Sequence, residues 1–257
     1  MRTRFVGTLS GFGVLALVVL SGDPAWAQAS TDKPSIYTYV ATWDVPRAMW
    51  GDYLKSQAAD DQAMSRAVAD GTLVGFGSYS VFNHQDGRPT HGSWFSARSM
   101  ANIIKVLEGV MSAPDVAAPV LAASKHWDYI FVSRDYNAHA GTFKNGYLRV
   151  GSWRYRAGAI DPDGKIIKAT MVAGLEKLLA DGALHSYELD REIVHSSDPD
   201  SFNVAIIANG AEGIDKFDAW VDKMEKNDPL GMAGFGSLVD LHGHRDFLAR
   251  VDIMTYK

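Results

Sequence analysis

The 257-residue chain contains no cysteine. That absence removes disulfides, thiolate nucleophiles and cysteine-ligated zinc or iron–sulfur sites together, leaving histidine and carboxylates as metal ligands. A basic excess is also lacking: 25 Lys and Arg stand against 30 Asp and Glu, a formal net charge of −5. Partners bound through phosphate neutralisation, nucleic acid above all, are therefore not expected. There is no Gly-x-Ser-x-Gly elbow, phosphate loop or dinucleotide fingerprint. Gly75-Phe76-Gly77 lies within a strand-like run and leads into no helix. After the first twenty residues no apolar run is long enough to span a membrane.

What is present begins with an export-like leader. Arg2 and Arg4 precede an uncharged, mostly apolar stretch from Phe5 to Leu20, and Ala25-Trp26-Ala27 supplies small residues at a cleavage site. The pattern predicts a signal peptide over residues 1–27, a mature chain from Gln28, and a periplasmic or secreted location without stable membrane insertion. The apolar stretch is short for a retained anchor.

Four landmarks then recur in order. Val40-Ala41-Thr42-Trp43 matches Val150-Gly151-Ser152-Trp153, and Ala69-Asp70-Gly71-Thr72-Leu73 matches Ala180-Asp181-Gly182-Ala183-Leu184. Equal spacing leads from each Asp-Gly to a histidine, His84 and His195, and His126-Trp127-Asp128-Tyr129 matches His244-Arg245-Asp246-Phe247. Alternating strand-like runs and helical apolar spacing between the landmarks predict β, α, β, β, α, β in each copy. The copies are placed at 28–134 and 146–257, with a small-residue, polar linker over 135–145. In the first copy a helix beginning near Ser99 is expected to bury Ile103, Leu107 and Val110. One such unit covers only one face of its sheet, so two units are expected to bury the other faces against each other and leave a pocket between the sheets.

The order of elements, the Trp-bearing first strand, the Asp-Gly after the first helix and the aromatic fourth strand resemble the dimeric α+β barrel superfamily in tandem form. The stretch from Pro46-Arg47-Ala48-Met49-Trp50 to Ala69-Asp70-Gly71 resembles uncharacterised exported bacterial members. The resemblance implies an α+β fold of two ferredoxin-like βαββαβ units packed as an intramolecular barrel. Superfamily members include cofactor-independent monooxygenases, haem enzymes, cyclases, isomerases and stress proteins, so the fold selects no reaction. The Gly-x-x-Asp-Gly haem motif of the peroxidases has no match, and Ser112-Ala113-Pro114 stands where plant-type cyclases carry His-Pro.

Candidate site residues follow from position and chemistry. His84, His126, His195 and His244 titrate near neutrality and are the candidate acid–base groups. His126 and His244 each precede an aspartate by two residues, which would hold the imidazole in one tautomer; a strand-end salt bridge is the alternative. His84 and His91 flank a turn and could make half a metal site, but no further ligand has the spacing, so no metal is expected. Alternation places Tyr39 with Trp43 and Arg149 with Trp153 on equivalent strand faces, together with Tyr37 and Tyr147. If those faces line the pocket, they bind a planar oxygenated molecule, with Arg149 stabilising an oxyanion; core packing is the alternative. Glu188, Asp190, Arg191 and Glu192 are many charges for one strand, and point to a sheet edge.

The function these residues suggest is binding, and conversion without a cofactor, of a small aromatic or hydrophobic molecule. A non-catalytic binding or stress protein and a haem protein with a histidine ligand are the alternatives. Further pairing of two chains into a homodimer is left open.

Overall fold

The computed structural model describes residues 33–112, 119–159, 161, 164–194, 196, 201–241 and 243–257. The leader, Gln28 and His195 lie outside the described residues.

The first unit runs β1 (Ile36–Asp44), α1 (Trp50–Ala69), β2 (Gly75–Val81), β3 (His91–Ala97), α2 (Met100–Met111), α3 (Pro119–Ala123) and β4 (Lys125–Ala138). A short β5 (Gly141–Phe143) leads to the second unit. That unit runs β6 (Tyr147–Arg154), α4 (Lys165–Ala180), β7 (Leu184–Val194), β8 (Ser201–Ala208), α5 (Ala211–Asn227), α6 (Pro229–Leu238) and β9 (Arg245–Tyr256).

Local chemistry sets several boundaries. Gly71 and Gly182 follow α1 and α4 at φ 83° and 71°, so both Asp-Gly landmarks supply the left-handed residue that ends a helix. Ser99 caps α2 by accepting from the Asn102 N–H at 3.2 Å. Asp228 accepts from the Gly231 N–H at 2.9 Å and, with Pro229 at the first helical position, starts α6.

In space each unit has the order second, third, first, fourth strand: β2-β3-β1-β4 and β7-β8-β6-β9. Two antiparallel seams join the units edge to edge, β4 with β7 and β2 with β9, and close the sheet into a barrel. Corresponding landmarks take corresponding registers. Trp43 pairs with His126 and Ala41 with Asp128 across β1–β4, while Gly151 pairs with Asp246 and Ser152 with Arg245 across β6–β9.

The helices pack on the outside of the barrel. Val68, Leu73, Phe76 and Ile103 fill the space around α1 and α2, and Leu175, Leu178, Tyr187 and Phe217 fill that under α4 and α5. Inside, Leu148, Ile207, Val251, Met254 and Tyr256 form part of a second apolar layer.

Three expectations change. The segment read as a linker, 135–145, carries the end of β4 and all of β5, because β7 holds Asn137 opposite Tyr187 and β9 holds Gly141 opposite Tyr256. Val110 is 42% exposed on α2, where only Ile103 is fully buried. The acidic β7 is not an edge: it lies between β4 and β8.

Candidate functional site

The barrel encloses a cavity of about 710 Å³. Side chains alternate across a strand, so one residue in two points inward. On β1 and β6 the inward set is Thr38, Val40 and Thr42 with Leu148, Val150 and Ser152. These side chains are small or of middle size, which leaves the barrel interior open. Exposed loop residues such as Gln85 and Arg88, with His244 and Arg245, mark its mouth.

Aromatic residues line two parts of the wall: Trp127, Tyr129 and Phe131 on β4 beside β7, and a panel on β2, β3 and β9. Trp94 and Tyr79 are buried with ring centroids 6.0 Å apart, and Tyr79 stacks on Phe247 at 5.5 Å. Glycines make this panel possible. A Cβ on Gly77 would lie 2.3 Å from the Trp94 indole, and one on Gly92 would lie 2.4 Å from the Tyr79 ring. The two rings therefore lie flat over bare backbone.

Facing that panel across the barrel is β7, four strands away from β2 in the closed order. It points Glu188, Asp190 and Glu192 into the cavity. Tyr256 Oη–H donates to Glu188 Oε1, and Thr38 donates to Oε2 at 3.4 Å. Ser133 Oγ–H donates to Asp190 Oδ1. Glu192 accepts from the Ser196 N–H at 3.0 Å. Burial raises the Glu188 carboxyl above its usual range, against the hydrogen bonds from Tyr256 and Thr38. Burial raises Asp190 well above its usual range, the nearby Glu188 charge adds to this, and the Ser133 hydrogen bond opposes it. Two carboxyls that hold protons more tightly than free acids, inside an aromatic cavity, can give or take a proton.

Tyr39, Trp43, Arg149 and Trp153 do not line this cavity. They occupy the opposite faces of β1 and β6, under the helices. Tyr39 packs on Phe95 beneath α1 and α2. Trp43 lies by Tyr53 of α1, and Trp153 by Phe202 and Phe235 of α6. Arg149 pairs with Asp218 of α5 and with Asp246 at 3.2 Å, and its guanidinium lies 5.5 Å from the Phe217 ring centre. On β1 and β6 the large side chains go where helices bury them, and the smaller ones face the barrel. Arg149→Ala is accordingly expected to leave cavity binding unchanged and to lower stability by about 1 kcal/mol, the worth of a half-exposed ion pair with some ring packing. A titration of any cavity ligand beside a thermal melt checks both halves.

The histidines separate. His84 is exposed in the β2–β3 loop, its ring 5.0 Å from that of Trp50. His126 stacks on Trp43 at 3.6 Å on the outer face, and its Nε2 lies 2.8 Å from Asp128 Oδ1. Burial pushes Asp128 up, but the hydrogen bonds from His126 and Tyr39 outweigh it and hold the carboxyl below its ordinary value. His244 alone of the described candidates lines the cavity, at the mouth, with Nδ1 at 2.8 Å from the Leu241 carbonyl. His91, expected across the turn from His84, is buried against Tyr53 and Trp50. Desolvation and the neighbouring His84 push it down to about 4, so it is neutral at physiological pH. Among the described residues no three His, Asp or Glu side chains are grouped to hold a metal ion.

Neither a family model nor a curated protein sequence matches the chain. Solved structures do. A candidate monooxygenase from Lactobacillus acidophilus superposes with a TM-score of 0.58 at 9% identity, covering 87% of this chain and 97% of its own. One from Fusobacterium nucleatum subsp. nucleatum gives 0.59 at 10%, covering 87% and 94%. A candidate chlorite dismutase gives 0.53 at 12%, covering 85% and 95%.

The chain has the fold of a dimeric α+β barrel. At these identities the likeness is one of fold, and it spans both units of the barrel.

Haem binding occurs among proteins of this fold. Of the described residues lining the cavity, His244 supplies the one imidazole, and its Nδ1 lies 2.8 Å from the Leu241 carbonyl, which leaves Nε2 as the nitrogen that could ligate iron. Glu188, Asp190 and Glu192 on the inner wall would face the propionates of such a macrocycle.

Proposed function

We propose that this barrel binds a small aromatic molecule in its central cavity and converts it by proton transfer or oxygenation without a resident cofactor. The observation that carries the reading is the cavity itself: about 710 Å³, walled in part by Trp94, Tyr79 and Phe247, with Glu188 and Asp190, whose proton affinity burial raises, opposite them. That volume suits a ligand of one to a few rings. The monooxygenase descriptions of two fold neighbours belong to those proteins and agree with this reading without carrying it.

The acid–base role rests here on Glu188 and Asp190, with His244 at the mouth, in place of the histidines on the outer face. A carboxyl whose proton affinity is raised by burial is a better base than a free one once ionised.

Native mass spectrometry of protein purified from its own host is the test. We expect a small aromatic occupant, lost in Trp94→Ala, and consumption of that compound with or without oxygen uptake. An occupant retained unchanged in Trp94→Ala overturns the cavity assignment. Binding without turnover leaves a carrier in place of an enzyme. The same spectra report the N-terminus, which we propose is Gln28 after export; a membrane-bound chain keeping Phe5 to Leu20 would refute that.

A further inference from the structure

We propose that the barrel cavity selects a ligand with a positively charged nitrogen on or beside its aromatic ring, held between the Trp94–Tyr79–Phe247 panel and the acidic face of β7. The inference rests on the cavity being the binding site and adds the chemical class of what it takes.

Two independent features meet there. The first is an acidic strand face inside the barrel, with the cavity's described arginines, Arg88 and Arg245, standing only at the mouth. Glu188, Asp190 and Glu192 stand at alternate positions along β7, running from Tyr256 inside the barrel toward the mouth. The side-chain partners of Glu188 and Asp190 are the hydroxyls of Tyr256, Thr38 and Ser133, and no described lysine or arginine is ion-paired with either. Asp190 is 7% exposed and Glu192 2%, so bulk water screens neither well. Buried anions without a cationic partner are unfavourable, and evolved interiors ordinarily pair them.

The second feature is the panel of π faces opposite. An organic cation is attracted by the negative faces of aromatic rings, most strongly when desolvated. Trp94 and Tyr79 are nearly fully buried and held flat over Gly77 and Gly92. An aromatic ligand bearing an ammonium or guanidinium group would stack on this panel and set its charge toward Asp190. A neutral ligand of the same shape would leave the acidic face unanswered, and an anionic one would be repelled.

The binding should be linked to protons. Burial raises the proton affinity of both carboxyls in the free protein. A cation favours the ionised pair, so it binds with proton release and more tightly as pH rises.

Three probes of one ring test this: phenyltrimethylammonium, its neutral isostere tert-butylbenzene, and benzoate. Neither of the first two titrates, so any pH dependence in their binding belongs to the protein. We expect the cation to bind about tenfold or more tighter than the isostere at about pH 8, the ratio narrowing toward about pH 5, and the benzoate to bind worst. Calorimetry in two buffers of different ionisation enthalpy should show protons released by the wild-type protein on binding the cation and none on binding the isostere. The double variant Glu188→Gln, Asp190→Asn should lose the preference while still binding the isostere, its folding checked by circular dichroism. An isostere bound as tightly as the cation, with no proton release, overturns the charge selection and leaves cavity binding standing. If no probe binds the wild-type protein, the cavity reading fails and this inference with it.

Discussion

Asp190→Asn is expected to raise the melting temperature at about pH 8 by several degrees and to do little near pH 4. Asp190 sits inside the barrel, 7% exposed, with its proton affinity raised by burial and by Glu188. A carboxyl that titrates higher folded than unfolded makes the folded chain hold more protons in the window between the two values. Stability is therefore fully present below the unfolded value, about 4, and falls as pH rises toward the folded one. Asparagine has no such loss, and its carbonyl still accepts from the Ser133 hydroxyl, which now bonds Oδ1. Each unit of upward displacement corresponds to about 1.4 kcal/mol, and about 1 kcal/mol moves the midpoint of a chain this size by roughly 2–4 °C. Thermal melts of both proteins across this range measure the gain. A midpoint unchanged or lowered at about pH 8 would show that the acid is ionised and well accommodated in the free protein. Keeping a destabilising acid inside a barrel is what a binding site does when its ligand supplies the missing partner.

Gly77→Ala is expected to damage fold and site together. The added methyl would lie 2.3 Å from two carbons of the Trp94 indole, a ring that is only 8% exposed. Either the β2 backbone or the indole must move, and overpacking of this kind costs about 1–3 kcal/mol. An indole displaced inward enters the cavity and takes ligand volume, so binding of a cavity probe should fall by about tenfold, a loss of about 1.4 kcal/mol. Gly109→Ala is the control. Nothing lies within 4 Å of its added carbon, and it sits within α2, where alanine is the better helix former by up to about 1 kcal/mol. If Gly77→Ala melts and binds like the wild type, the flat seating of Trp94 on bare backbone is not what shapes the cavity.

Much of this architecture was legible in the chain itself. The Trp-bearing strands, the Asp-Gly helix ends and the His-x-Asp starts of the fourth strands are local patterns with local physical causes, and each takes its expected place. Gly71 and Gly182 end helices because only glycine enters the left-handed region without a Cβ penalty. Segments whose structure depends on a distant partner were not legible. The end of β4 is extended because β7 pairs with it, and β5 because β9 does. Local composition there reads as a linker.

The site divides along the same line. Alternation by itself determined that Tyr39 and Trp43 share one face of β1, and Arg149 and Trp153 one face of β6. Which face the helices cover is decided only when the two sheets close, and here the large side chains went outward beneath α1, α5 and α6 while Thr38, Val40 and their counterparts faced the barrel. A signal did exist in β7. Glu188, Asp190 and Glu192 recur at a period of two, with Leu189 and Arg191 between them, which marks one wholly acidic strand face. Charge on a strand reads as an exposed edge until the neighbouring strands are known. Pairing with β4 and β8 places that face inside the barrel, since edge or interior is a property of the whole sheet and not of its strand.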